Sequence, residues 1–129
     1  MSVISEIAQY LVDNEQGTLG TDIFYSQAPD LELDCVVAVI DRSGPAPDID
    51  ILAIKSPMFQ IFIRSKDYAT GRAKLDTIRD LLHGQTMTTL VQGGHKFLRI
   101  QAMSEGGHIG VNESNRDEFS INFMSEVII

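Results

Sequence analysis

The stretch Ser56–Gly84, "SPMFQIFIRSKDYATGRAKLDTIRDLLHG", decides the fold because its hydrophobic period changes once, near the middle. Between Met58 and Arg64 the period is two. Phe59, Ile61 and Ile63 point one way, and Met58, Gln60, Phe62 and Arg64 point the other, as in a β-strand. Met58 and Phe62 make the second face partly apolar, so the strand is expected inside a sheet that is covered on both sides or touches another subunit. The period then lengthens to three and four. Tyr68, Leu75, Ile78 and Leu82, with Ala69, Ala73 and Leu81 beside them, form a stripe, while Lys66, Arg72, Lys74, Asp76 and Arg79 face water. Ser65 is the expected N-cap of this helix and Gly84 the left-handed residue past its end. Gly71 reads as its weak link.

Working outward, "SVISEIAQYLVDN" at Ser2–Asn14 predicts a helix capped by Ser2, with Val3, Ile4, Ile7, Tyr10 and Leu11 on one face. Ile23–Tyr25 predicts a short strand. "LELDCVVAVI" at Leu31–Ile40 predicts a longer one whose second half is central in the sheet. Pro45 and Pro47 cannot donate ladder bonds, so residues 42–48 are expected to form a loop, followed by a short strand in "IDILAI". After the helix, "TMTTLV" and "HKFLRIQAM" around "QGG" predict a hairpin with Leu98, Ile100 and Ala102 inward. "SEGGHIGVNESNRDE", residues 104–118, reads as an exposed, mobile connection. "FSINFMSEVII" closes the chain as a strand with Phe119, Ile121 and Phe123 inward. The expected architecture is α+β: one domain over residues 1–129, with a mixed or mainly antiparallel sheet flanked by two main helices. Its core should join Phe59, Ile61, Ile63, Leu75, Ile78, Leu98, Ile100, Phe119, Ile121 and Phe123.

The 129 residues, 43% of them hydrophobic, suit one domain with an ordinary core. No apolar run reaches the roughly 18–20 residues of a bilayer span, and the acidic start is unlike a leader, so neither membrane nor secretion is expected. The lone Cys35 reads as a buried thiol in a reducing compartment. The net charge of −8 is unevenly spread. Residues 1–54 hold ten acids and one base, residues 55–103 three acids and eight bases, and residues 104–129 five acids and one base. Such segregation fits a solvated surface, and it also fits an acidic flank meeting the basic flank of an identical neighbour, a head-to-tail contact that can close a ring. A phosphate-gripping nucleic-acid site is not expected, since the bases are outnumbered and lack interleaved aromatics.

Catalytic chemistry finds little support in the residues. His83 falls in the last turn of a helix, where a charged imidazole suits the macrodipole. His95 and His108 lie in separate turns without a second His or Cys at metal-ligand spacing, which leaves a zinc or hydrolase site from His95, His108 and Asp117 weakly supported, with Asp22 and Glu118 as the other acids considered. "QGTLGTD" lacks the lysine and preceding strand of a phosphate loop, and "GGHIG" does not open a helix. Neither Ser43 nor Ser56 sits in a nucleophile elbow. No catalytic, cofactor or metal residue is assigned.

The combination of "ISEIAQYLVDN", "GTDIFYSQAP", "DRSGPAPD", "FQIFIRSKDY" and "DEFSINFMSEV" resembles the tail terminator and tail completion (minor capsid) proteins of long-tailed bacteriophages over nearly the whole chain. The resemblance implies a structural virion protein, not an enzyme, that needs no cofactor. It implies a homo-oligomeric ring, expected to be a hexamer, at the head-proximal end of the tail and assembled in the host cytoplasm. Such a ring would cap the tail tube, end its polymerisation and offer a joining surface to the head connector. DNA would pass through without specific binding. The interface residues expected on the basic side are Arg64, Lys66, Arg72 and Arg79, supported by apolar Met58 and Phe62, with Asp48 and Asp50 as acidic partners beside Asp30, Glu32 and Asp34. A head completion or head-to-tail adaptor is the alternative, and a small cytoplasmic enzyme a weaker one.

Overall fold

The computed structural model describes residues 2–29, 33–46 and 53–128. In chain order the elements are α1 (Val3–Asp13), β1 (Ile23–Tyr25), β2 (Cys35–Arg42), β3 (Ile54–Lys55), β4 (Met58–Ser65), α2 (Tyr68–Leu82), β5 (Gln85–Thr89), β6 (Lys96–Ala102), β7 (Gly107–Val111) and β8 (Asp117–Ile128). The strands form one sheet in the order β1-β2-β4-β8-β6-β5, antiparallel throughout that path except for the parallel β1–β2 pair. This is the expected α+β domain with two helices. β8 is its axis. One edge of β8 carries β4 and β3, and the other carries β6 and β7 in succession.

The strand read from Met58–Arg64 lies between β2 and β8, with Phe59, Ile61 and Ile63 buried. These side chains share one face with Val37, Val39, Phe119, Ile121, Phe123 and Val127, and Phe59 stacks on Phe123 at 5.1 Å. Ile7, Ala8 and Leu11 of α1 and Leu75, Ile78 and Leu82 of α2 close over that face and join its core. Both helices therefore cover the same side. The other face, bearing Met58, Gln60, Phe62 and Arg64, carries no helix among the described residues, and on it Val36 and Ala38 of β2 are fully buried beside Arg64 and Phe62.

Five local readings are corrected by packing. The N-cap of α2 is Asp67, whose carboxylate accepts the Thr70 N–H at 2.7 Å, while Ser65 is buried and its hydroxyl donates to the Asp67 carbonyl at 2.5 Å. Tyr68, Ala69 and Ala73 lie outside the buried stripe, where Gly71 takes their place: a Cβ there would run into the Phe119 ring and Ser65 Oγ. Leu98 is half-buried and Phe97 is inward, because β6 slips register against β8 between Phe97 and Arg99. Within residues 104–118, Gly107–Val111 is not a connection but β7, paired with β8. His83 is the C-cap of α2, just past its last turn, and its Nδ1 accepts the Ala102 N–H at 2.9 Å. The Ser2 cap and the left-handed Gly84, φ +90°, stand as read. Of the loop read at 42–48, Arg42 belongs to β2, residues 43–46 have no regular structure, and 47–48 lie outside the described residues.

Candidate assembly surfaces

The sequence-derived interface residues fall into three places. Met58, Phe62 and Arg64 project from β4 onto the helix-free face, beside Ser120 and Met124 of β8 and Ala38 of β2 by register. Met58 and Phe62 are half-buried. Arg64 is anchored there: its Nε donates to Glu118 at 3.1 Å, its Nη1 donates to the Pro29 carbonyl at 2.8 Å, and its guanidinium lies 5.4 Å from the Phe62 ring centroid. Arg99–Glu126 at 2.6 Å and the Arg42–Gln60 hydrogen bond continue this pattern, so the face is apolar in patches and laced by cross-strand polar pairs.

Lys66 follows β4 and meets Asp34 at 3.4 Å, with both side chains half or more exposed. Arg72 and Arg79 lie on α2, on either side of Asp76, at 3.2 and 3.1 Å. They also reach the β6–β7 connection: Arg72 Nη1 donates to the Gly106 carbonyl at 3.1 Å and Arg79 Nη1 to the Glu105 carbonyl at 3.2 Å. The four basic candidates are thus dispersed, and each has a partner inside its own chain. Asp48 and Asp50, like Asp30 and Glu32, lie outside the described residues.

The histidines are likewise separated. His108 Nε2 sits 2.8 Å from Asp117 on the β7–β8 hairpin, under Tyr68 and against Phe119. His95 belongs to another locus: its backbone N–H donates to Glu6 Oε1 at 2.6 Å and its ring Nδ1 meets Glu6 Oε2. Glu6 is fully buried. This carboxylate, placed one turn into a helix that otherwise docks by apolar contacts, is a tie between α1 and the β5–β6 turn. Position 6 is not among the residues that the period places on the docking face, and a buried carboxylate there has no signal in that period. Among the described residues no cluster of three or more His, Cys, Asp or Glu could hold a metal. Cys35 lines a surface recess with Thr21, Asp22, Leu33 and Asp34, and burial pushes its thiol above the ordinary range while Lys74 opposes the shift.

What distinguishes this molecule, among the described residues, is a sheet with helices on one side only, half-buried Met58 and Phe62 beside buried Val36 and Ala38 on the other, and a long central strand that fixes both. The family model described as bacteriophage tail terminator protein matches residues 10–127. The chain belongs to the bacteriophage tail terminator family. No curated protein matches it. A solved chain from the virion of a native gene transfer agent particle is similar in fold, with a TM-score of 0.65 and 17% identity over 99% of this chain and 96% of that one. For a tail terminator, the relevant sites are surfaces that other subunits can cover.

Proposed function

We propose that this protein is a structural, non-enzymatic virion component that caps the phage tail tube as a homo-oligomeric ring, taken as a hexamer. The ring ends tube polymerisation and presents the head-proximal joining surface, after assembly in the host cytoplasm. Membership of the tail terminator family carries this reading. The physical task is to bind the last ring of tube subunits and offer them no surface on which another tube ring adds.

In this reading Met58 and Phe62, on the helix-free face, supply apolar contact to a neighbouring subunit, because half-buried Met and Phe gain more from completing their burial than surface charges do. Lys66, Arg64, Arg72 and Arg79 with Asp48 and Asp50 set orientation. Rim pairs contribute roughly 0–1 kcal/mol each, so they select a register and do not drive association. The overall charge of −8 suits a conduit through which DNA passes without being held.

The test is electron microscopy of particles made without the protein. Overlong tails are expected. Tails of normal length that fail to join heads would instead indicate an adaptor on the connector.

A further inference from the structure

We propose that the open edge of β7 accepts an extended segment of a second virion protein as an added strand, one with alternating apolar side chains and a basic residue at each end; this rests on the terminator reading. β6 and β7 lie end to end along β8, but β5 covers only the β6 half, pairing with Lys96–Ile100. Beyond Ile100 no strand among the described residues continues the line of β5, where only the His83 ring reaches across to accept the Ala102 N–H. At that step a groove of about 510 Å³ opens between α2 and the end of β6, and past it β7 has no second ladder partner among the described residues. An edge strand without a neighbour presents a row of backbone donors and acceptors that another strand can pair.

The other three edges among the described strands are less suited, and β3 is only two residues long. β1 is closed by its own chain, through the Leu19–Ile23 bridge and the Gly20 N–H to the Ile23 carbonyl at 2.9 Å. β5 offers mainly threonines and is kinked at Met87, φ +48°. β7 carries no Lys, Glu or Pro to repel a strand, and its bulge at Ile109 is its single blunting device. It does carry exposed apolar side chains: Ile109 is 57% exposed and Val111 53%. The edge is also held in advance, since Arg72 and Arg79 fix the carbonyls leading into it.

Charge names the occupant. Glu105 before β7 and Glu113 after it are exposed and have no ion-pair partner among the described residues, so they favour a strand bracketed by Lys or Arg. A second copy of this chain is a poor donor. Its inter-strand segments 26–34 and 43–53 bring five acids and no base, which these carboxylates repel.

Hydrogen exchange of residues 103–111 in the purified protein and in isolated tails tests the proposal. At least tenfold slower exchange in tails is expected, and exchange unchanged in tails that contain the protein overturns it. Ile109→Lys and, separately, the pair Glu105→Lys with Glu113→Lys should keep the wild-type melting midpoint yet lower incorporation into tails at least tenfold. Wild-type incorporation by either of these folded variants overturns it. Should Ile109→Lys unfold, Val111→Lys serves in its place. Zero-length cross-linking of Glu105 and Glu113 should capture lysines of a different virion protein; capture of another copy of this chain overturns the choice of occupant. Absence of the protein from tails overturns the terminator reading and this one with it, whereas normal tail termination with unchanged exchange overturns this one alone.

Discussion

Gly71 shows how one residue can oppose its own element. Alanine in mid-helix is worth about 1 kcal/mol over glycine, so α2 alone would gain from Gly71→Ala. Its Cβ, however, would collide with the ring of fully buried Phe119 and with Ser65 Oγ, and neither can withdraw without disturbing β8 or β4. Overpacking of this kind costs typically 1–3 kcal/mol, so the expected outcome is a net loss of stability, read from the urea midpoint. The α2 cap gives a pH signature. The Thr70 N–H holds the Asp67 carboxyl below its usual range, so in acid the unfolded chain binds the proton more readily than the folded one. The cap's contribution is present above about pH 4 and disappears as pH falls through the lowered folded value. Asp67→Asn should keep a cap and lose that acid-range slope, whereas Asp67→Ala should lose both, as thermal melts from pH 2 to 6 would show. At Cys35 the raised pKa means little thiolate at pH 8, and alkylation should be slow in the native protein and fast in denaturant.

At the scale of elements, legibility followed how many residues repeated a pattern. β4, β8 and α2 each carry three or more inward residues at one period, and a register slip would expose all of them, so their buried faces were readable. Ile61, which sits between Val39 and Ile121 in the sheet, illustrates the stake: Ile61→Ala should cost about 2–5 kcal/mol in equilibrium unfolding. β6 was misread because its alternation breaks at a bulge, which depends on β8 and leaves no mark in "HKFLRIQAM". β7 was missed because two of its five residues are glycines, and a strand held by pairing to a long neighbour needs little propensity of its own. Met58 and Phe62 were legible as apolar residues on the wrong side of an alternating strand. The Glu6 tie was not, since it joins residues 89 apart and depends on Gly94 packing against the carboxylate. Glu6→Ala should leave the His95 amide without its acceptor and lower stability by about 1–3 kcal/mol, with Glu6→Gln in between.

For the whole molecule, the charge pattern that suggests a ring has to be separated from the charge pattern that builds the subunit. Arg72 serves the latter, through Asp76 and the Gly106 carbonyl, and Arg72→Glu would replace both attractions with repulsion. That variant should lose on the order of 1 kcal/mol of stability and loosen the entry to β7, so its assembly defect would be ambiguous. Lys66 is the cleaner probe, being half exposed and paired, among the described residues, with an exposed Asp34. If the basic flank of one subunit orients on the acidic flank of the next, Lys66→Glu should leave the melting midpoint within about 1 °C while weakening association. Light scattering across protein concentration would measure it, and raising salt from 0.1 to 1 M, which shortens the Debye length from about 10 to 3 Å, should reproduce part of the loss in the wild type. A wild-type protein that stays monomeric at every concentration, with Lys66→Glu entering tails normally, would assign these charges to solubility alone. In that case, ring closure would rest on the apolar face around Phe62 and on the tail tube as template.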